Sequence, residues 1–402
     1  MGYAALSNQF HRISQLEGAL GILHWDMSTM MPAGSAGSRG EQLAILGSLV
    51  HDMRTDPRIA EWIGSAGEED LSDWQRANVR EISRQYGEAT VLPGTLVEAL
   101  SRACTECEIT WRQARKDNDF PALIPALSRV LELVREKAQL LGEHLNTSPY
   151  DALLSQYDPG TKSADIDLLF ADLESFLPDM LGAVIERQAQ QGRLAIDGPF
   201  CVDAQRALGL KMMTVLGFDF EHGRLDVSAH PFCGGNPDDV RITTRYSADD
   251  FTQSLMGVIH ETGHALYELG LPKEWRDQPV GRARGMSMHE SQSLLMEMQA
   301  CRSREFLQFA APIIREVFGQ GGDAWTAENL YRAYTRVERG LIRVDADEVS
   351  YPLHVILRYR LETALLSGDL ALKDLPDAWR EGMRALVGVE PPDDRDGCMQ
   401  DI

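Results

Sequence analysis

The chain has 402 residues, 39 of them basic and 61 acidic, for a formal charge of −22 at neutral pH, and its 44% hydrophobic and 25% charged residues are those of a globular protein with ample core. Without any concentrated basic patch, this acidity repels a phosphate backbone and excludes a nucleic-acid partner. No stretch approaches the roughly eighteen apolar residues of a membrane span, residues 1–7 lack the features of a signal peptide, and six scattered cysteines form no disulfide framework. The expected address is therefore the cytoplasm.

Helical periodicity dominates the first half, over 6–24, 39–51, 73–86, 92–116, 121–144, 163–191 and 202–216. Pro/Gly breaks such as Pro32-Ala33-Gly34 and Asp158-Pro159-Gly160 separate these runs. Cys104 and Cys107 sit within one of them, without a second pair, and read as ordinary thiols. Short, partly β-branched runs at 218–220, 224–230 and 240–246 then predict a small antiparallel sheet of two or three strands. Further helices are expected over 290–318, 327–341 and 353–366. No repeat period or low-complexity linker appears, so the reading is one mainly α domain over 1–402.

Directly after the strands stands His260-Glu261-Thr262-Gly263-His264. Side chains four apart share a helix face, so both imidazoles can meet one tetrahedral Zn²⁺, while Glu261 lies beside the ion as a general base. Ser247 with Asp250 resembles a capping box for this helix. Phe251, Leu255, Val258, Ile259, Thr262, Leu266 and Leu269 form its apolar stripe, and Gly270 with Pro272 ends it. The two histidines project away from that stripe. A neighbouring strand suits a peptidase, whose extended substrate can pair with a sheet edge. A catalytic zinc takes three protein ligands and leaves one position open. Glu290, near the start of the next helix and flanked by His289, is the candidate third.

Here the chain resembles the M32 metallocarboxypeptidases, of the thermostable carboxypeptidase Taq type. His230-Pro231-Phe232 fits the family's HPF element and Asp239-Val240-Arg241-Ile242-Thr243 its DxRxT. His289-Glu290-Ser291-Gln292 fits the element carrying the third ligand, and Ile342 to Asp347 fits IRxxAD. Trp25-Asp26 with Met31-Pro32, and Tyr150 to Leu154, also look like family segments. Gly397 to Ile402 match the first six positions of GxxQDxHW, after which the family continues, so the chain is expected to lack about 100 C-terminal residues.

The resemblance implies a zinc-dependent carboxypeptidase acting on short peptides, with a long helical substrate groove and a homodimeric state. Zinc, for which cobalt can substitute, would be held by His260, His264 and Glu290 and would activate water and polarise the scissile carbonyl. Glu261 would take a proton and deliver it to the leaving amine. His289 and His354 are the candidate donors to the oxyanion. Arg241 and Arg343, in the matching motifs, are candidates for a bidentate grip on the substrate carboxylate, with His230 and Asp239 completing the substrate-binding set. Two alternatives stand beside this: a folded zinc-binding protein without turnover, and a helical endo-oligopeptidase.

Overall fold

The computed structural model describes residues 2–401. Its contacts gather Met1–Thr90 with Leu194–Tyr334 into one compact unit, and Val91–Arg193 with Thr335–Ile402 into a second. Neither unit is a contiguous stretch of chain, in keeping with a sequence that offers no linker.

In the first unit the N-terminal helix Gly2–Thr29 packs against helices Ala36–Arg54 and Arg58–Ala66. Leu6, Phe10 and Ile13, spaced at helical intervals, meet Val50, Ile59, Ala66 and Ile82 in one buried cluster. Buried polar contacts tie this part to residues much later in the chain. Asn78 Nδ2 donates to Gln278 Oε1 at 2.8 Å, and Gln278 Nε2 donates to the Ser7 carbonyl at 2.9 Å.

The sheet differs from the expected antiparallel arrangement. Its strands are β1 (Gly223–Val227), β2 (Cys233–Asn236) and β3 (Asp239–Thr244), ordered β1-β3-β2. β2 and β3 form an antiparallel hairpin, but β1 runs parallel to β3. Residues 228–232 bend widely enough to leave a slot that β3 fills. Thr243 pins that bend: its Oγ1 lies 2.7 Å from Ser228 Oγ and accepts from the Phe232 amide at 3.0 Å. β2 lacks β-branched residues and contains two glycines, which hid it from propensity. Residues 218–220 are not a strand; Phe218 turns into the core beneath the sheet.

In the second unit, helices Gly94–Asp117 and Phe120–Leu145 form an antiparallel pair. Asn118 ends the first in the left-handed conformation, and Asp119 caps the second by accepting from the Ala122 amide at 3.1 Å. Helices Ser163–Ala189, Tyr351–Ser367 and Leu375–Leu386 complete its core around Leu181, Ile356, Trp379 and Met383. Three helices were not anticipated: Arg58–Ala66, the single turn-and-a-half Pro149–Leu154, and Leu375–Leu386. The expected helix over 290–318 is in fact interrupted, and that over 327–341 stops at Tyr334. Among the described residues, no helix is long and apolar enough to cross a membrane.

Candidate metal centre

The motif lies on helix Phe251–Gly270, whose cap is Asp250 rather than the anticipated Ser247. Asp250 Oδ1 accepts from the Thr252 amide at 2.7 Å and from Thr252 Oγ1 at 2.6 Å. The helix is buried on more than one face. Val258 and Ala265 pack on Leu225, Val240 and Ile242 of the sheet, while Phe251, Leu255, Met256 and Ile259 enter a separate cluster with Leu307, Trp325 and Leu330. A further side is closed by the next helix, Met286–Leu294, which carries His289 and Glu290. That approach is very tight at Gly263, where a Cβ would lie 2.6 Å from Ser293 Cα and 2.7 Å from the Gln292 carbonyl oxygen.

The close approach brings the three expected donors together. His260 Nε2 lies 3.6 Å from Glu290 Oε1, and His264 Nε2 lies 3.3 Å from Glu290 Oε2. One donor atom from each residue falls within 4.8 Å of the others. Ligand bonds near 2.05 Å in a tetrahedron give donor-to-donor edges of about 3.3 Å, so the cluster is already close to the size of a zinc shell. The donor set fits too: two imidazole nitrogens and one carboxylate leave a fourth position open. Glu290, Glu261, Glu268 and Glu297 surround these histidines, with one guanidinium, Arg302, to offset them. A divalent cation would offset two of the remaining three charges.

Each Nε2 faces the centre because each Nδ1 is held from behind. His260 Nδ1 is 3.0 Å from Glu297 Oε2, and Glu297 Oε1 in turn accepts from Arg302 Nη2 at 2.5 Å. His264 Nδ1 is 2.6 Å from His289 Nδ1, and His289 Nε2 is 2.8 Å from Glu268 Oε1. Glu297 stands in a π-helical turn, Leu295–Ala300, that follows the Glu290 helix. π turns inserted after α-helices recur at functional sites, and this one carries a carboxylate to the motif helix.

The electrostatics follow from these contacts. Burial pulls His260 towards the neutral form, but the Glu297 hydrogen bond and the Glu290 charge outweigh it, and its pKa rises. The hydrogen bond with His264 holds the Glu290 carboxyl below its ordinary range despite burial. Burial pushes the Glu297 carboxyl up, yet His260 and Arg302 bring it down overall. Glu261 is different. It is 6% exposed, burial raises its pKa against the pull of His260 and His264, and Oε2 has no hydrogen bond among the described residues.

The other anticipated residues are more dispersed. Both ring nitrogens of the expected oxyanion donor His289 are engaged, Nδ1 with His264 and Nε2 with Glu268. His230 is exposed in the β1–β2 bend, where its carbonyl accepts from Ser228 Oγ at 2.5 Å. Arg241 donates from Nε and Nη2 to Asp239 at 2.9 and 2.7 Å, and its guanidinium lies 4.5 Å from the centroid of the Trp25 ring. Arg343 and His354 belong to the second unit. Arg343 is held by Asp401 through two hydrogen bonds of 2.6 and 2.8 Å. His354 is buried, which lowers its pKa against the opposing pull of the Gly340 backbone.

Sequence reasoning missed Glu268, Glu297 and Arg302. A signal existed for the first, since His260, His264 and Glu268 follow at four-residue steps along one helix face. Glu297 follows Glu290 by seven residues, two helical turns, but its final orientation depends on the π turn.

The family model for carboxypeptidase Taq (M32) metallopeptidases matches residues 5–402. The chain belongs to this M32 family. It is 40% identical to thermostable carboxypeptidase 1 of Thermus thermophilus, across 98% of this chain and 80% of that protein. Carboxypeptidase 1 of Bacillus subtilis is 32% identical, across 97% and 78%. Among solved structures, Trypanosoma cruzi metallocarboxypeptidase 1 superposes with a TM-score of 0.97 at 41% identity, covering all of this chain and 81% of that one. The M32 carboxypeptidase from Deinococcus radiodurans gives 0.93 at 34% identity, with 100% and 80% covered. This M32 chain is thus a mainly helical metallocarboxypeptidase that spans about four fifths of the length of its relatives. The family match runs to residue 402 and does not bear out the expected shortfall of about 100 C-terminal residues.

Proposed function

We propose that this M32 metallocarboxypeptidase is zinc-dependent and releases amino acids one at a time from the C-terminus of short peptides. The observation that carries the reading is the meeting of His260, His264 and Glu290 at metal-ligand spacing, beside a buried glutamate with an unpartnered oxygen.

His260 and His264 would hold the ion through Nε2, and Glu290 through its carboxylate. When bound, zinc supplies a Lewis acid that polarises a scissile carbonyl and eases deprotonation of water. Glu261 is the general base in this reading. Its oxygen Oε2 makes no hydrogen bond among the described residues, so it is free to accept a proton and pass it to the departing amine. Glu297 keeps His260 oriented throughout.

Recognition of the terminal carboxylate is assigned to an arginine, with Arg241 and Arg343 to be compared by substitution. A cytoplasmic address, a homodimeric state and a helical substrate groove belong to the same reading.

The test is mass spectrometry of peptide digests with zinc or cobalt added, alongside metal analysis. Stepwise loss of C-terminal residues from an N-blocked tripeptide is expected. Internal cleavage of a C-terminally blocked peptide would indicate an endopeptidase instead, and stoichiometric metal without any product would leave a metal-binding protein.

A further inference from the structure

His289 adjoins the third donor in sequence, yet its ring turns away from the donor cluster. The distances place it in a file: Glu268 Oε1, 2.8 Å to His289 Nε2, then His289 Nδ1, 2.6 Å to His264 Nδ1. A carboxylate accepts only, so Glu268 requires a proton on His289 Nε2. A neutral His289 then has a bare Nδ1, which can only accept, and the proton between the two rings must sit on His264 Nδ1. That leaves the lone pair of His264 on Nε2, the atom facing Glu290.

We infer that Glu268 and His289 are positioning residues for the metal centre, forming a two-step relay that fixes the tautomer and ring plane of His264. His260 reaches the same result in one step, through Glu297. The inference rests on the proposed zinc site, and deepens it by assigning what sets the second ligand. The edge of the Tyr267 ring packs on His289 at 5.2 Å between centroids, 85° between planes, and holds the intermediate ring in place. Glu268 and His289 also stand on the wall of a cavity of about 380 Å³ that Ser14, Asn236 and Arg276 help line. Substitutions at the outer end of the relay therefore meet open space instead of packed core.

The test begins with the zinc-loaded protein labelled with ¹⁵N. Long-range ¹H–¹⁵N correlations at pH 8 should show His289 as the Nε2–H tautomer and His264 protonated on Nδ1. A His289 protonated on Nδ1 would overturn the relay. Glu268→Ala and His289→Ala should each weaken zinc binding 10–100-fold in chelator competition, and should alter the visible spectrum of the cobalt-loaded protein. Glu268→Asp, which keeps the carboxylate, should recover most of that loss. Wild-type affinity and an unchanged cobalt spectrum in both disruptive variants would sink the relay while leaving the centre intact, provided His264→Ala loses the metal. If His264→Ala also binds zinc normally, the metal site itself fails and the relay with it.

Discussion

Gly263 and Ser293 sit closer than any side chain permits: a methyl group on Gly263 would reach within 2.6 Å of Ser293 Cα. The atom it would strike is backbone, which cannot rotate aside. The motif helix and the Glu290 helix are in contact at this point because the residue before the second histidine has no side chain. Gly263→Ala should therefore separate the two helices and draw Glu290 away from the imidazoles. The expected cost is about 1–3 kcal/mol in stability, as for other overpacked sites, with weaker zinc binding. Gly257, six residues earlier on the same helix, would place its methyl 4.0 Å from Thr244 Oγ1, an ordinary contact. Gly257→Ala should be neutral or gain up to about 1 kcal/mol from helix propensity. Thermal melts and chelator titrations of the pair check both statements.

Glu261→Gln keeps the shape of the side chain and removes the base. Turnover should fall by about 10²–10⁴-fold, the usual contribution of general acid–base catalysis, while zinc content stays at the wild-type level. Single-turnover assays with parallel metal analysis separate the two quantities. Loss of metal together with activity would remove Glu261 from the role assigned to it.

Metal removal should lower the melting temperature, since an ion that binds only the folded state stabilises it. At a free concentration 100 times the dissociation constant, that stabilisation is about 2.7 kcal/mol. In Glu290→Ala, which lacks the third donor, chelator should change the melting temperature far less. Calorimetry with and without chelator measures the difference.

The second unit offers a pH-dependent contact remote in sequence from the motif. Burial would raise the Asp401 carboxyl, but hydrogen bonds from Arg343 and the charge of Arg358, whose Nη1 is 2.7 Å away, hold it below the usual carboxylate range. A carboxyl with a depressed folded pKa stabilises the fold above its unfolded value of about 3.9, and that contribution disappears as pH falls through the folded value. Asp401→Asn should thus cost about 1–2 kcal/mol at pH 7, and the gap to wild type should close in strong acid. Denaturant titrations across pH follow it. A gap that widens towards low pH would contradict the pairing.

Much of the centre was legible in the sequence because it depends on short spacings. Two histidines four apart must share a helix face, and Glu290 stands near the start of the next helix, within reach if the helices pack closely. Gly263 is what allows that packing, though its part shows only once both backbones are placed. The uses of His289 and Glu297 were not legible. A histidine beside a ligand reads equally well as a donor to substrate or as a support, and which it becomes depends on where Glu268 lies across the helix pair. Glu297 depends on a π turn, which no residue pattern announces. The main helices were evident from periodicity, whereas β2 was hidden by its glycines. The direction of β1 followed from a wide bend and not from strand propensity.

The interleaving of the chain has a consequence for biosynthesis. Asn78 and Gln278 are 200 residues apart yet share a buried hydrogen bond, and the first unit closes only with the stretch ending at Tyr334. On a ribosome, Ser7 and Asn78 emerge long before Gln278 exists, while the intervening 103 residues of Val91–Arg193 must be accommodated as an excursion. Leu6, Phe10 and Ile13 pack with partners from the first 86 residues, so their cluster can form early, while the buried amide of Asn78 lacks Gln278 until far later in synthesis.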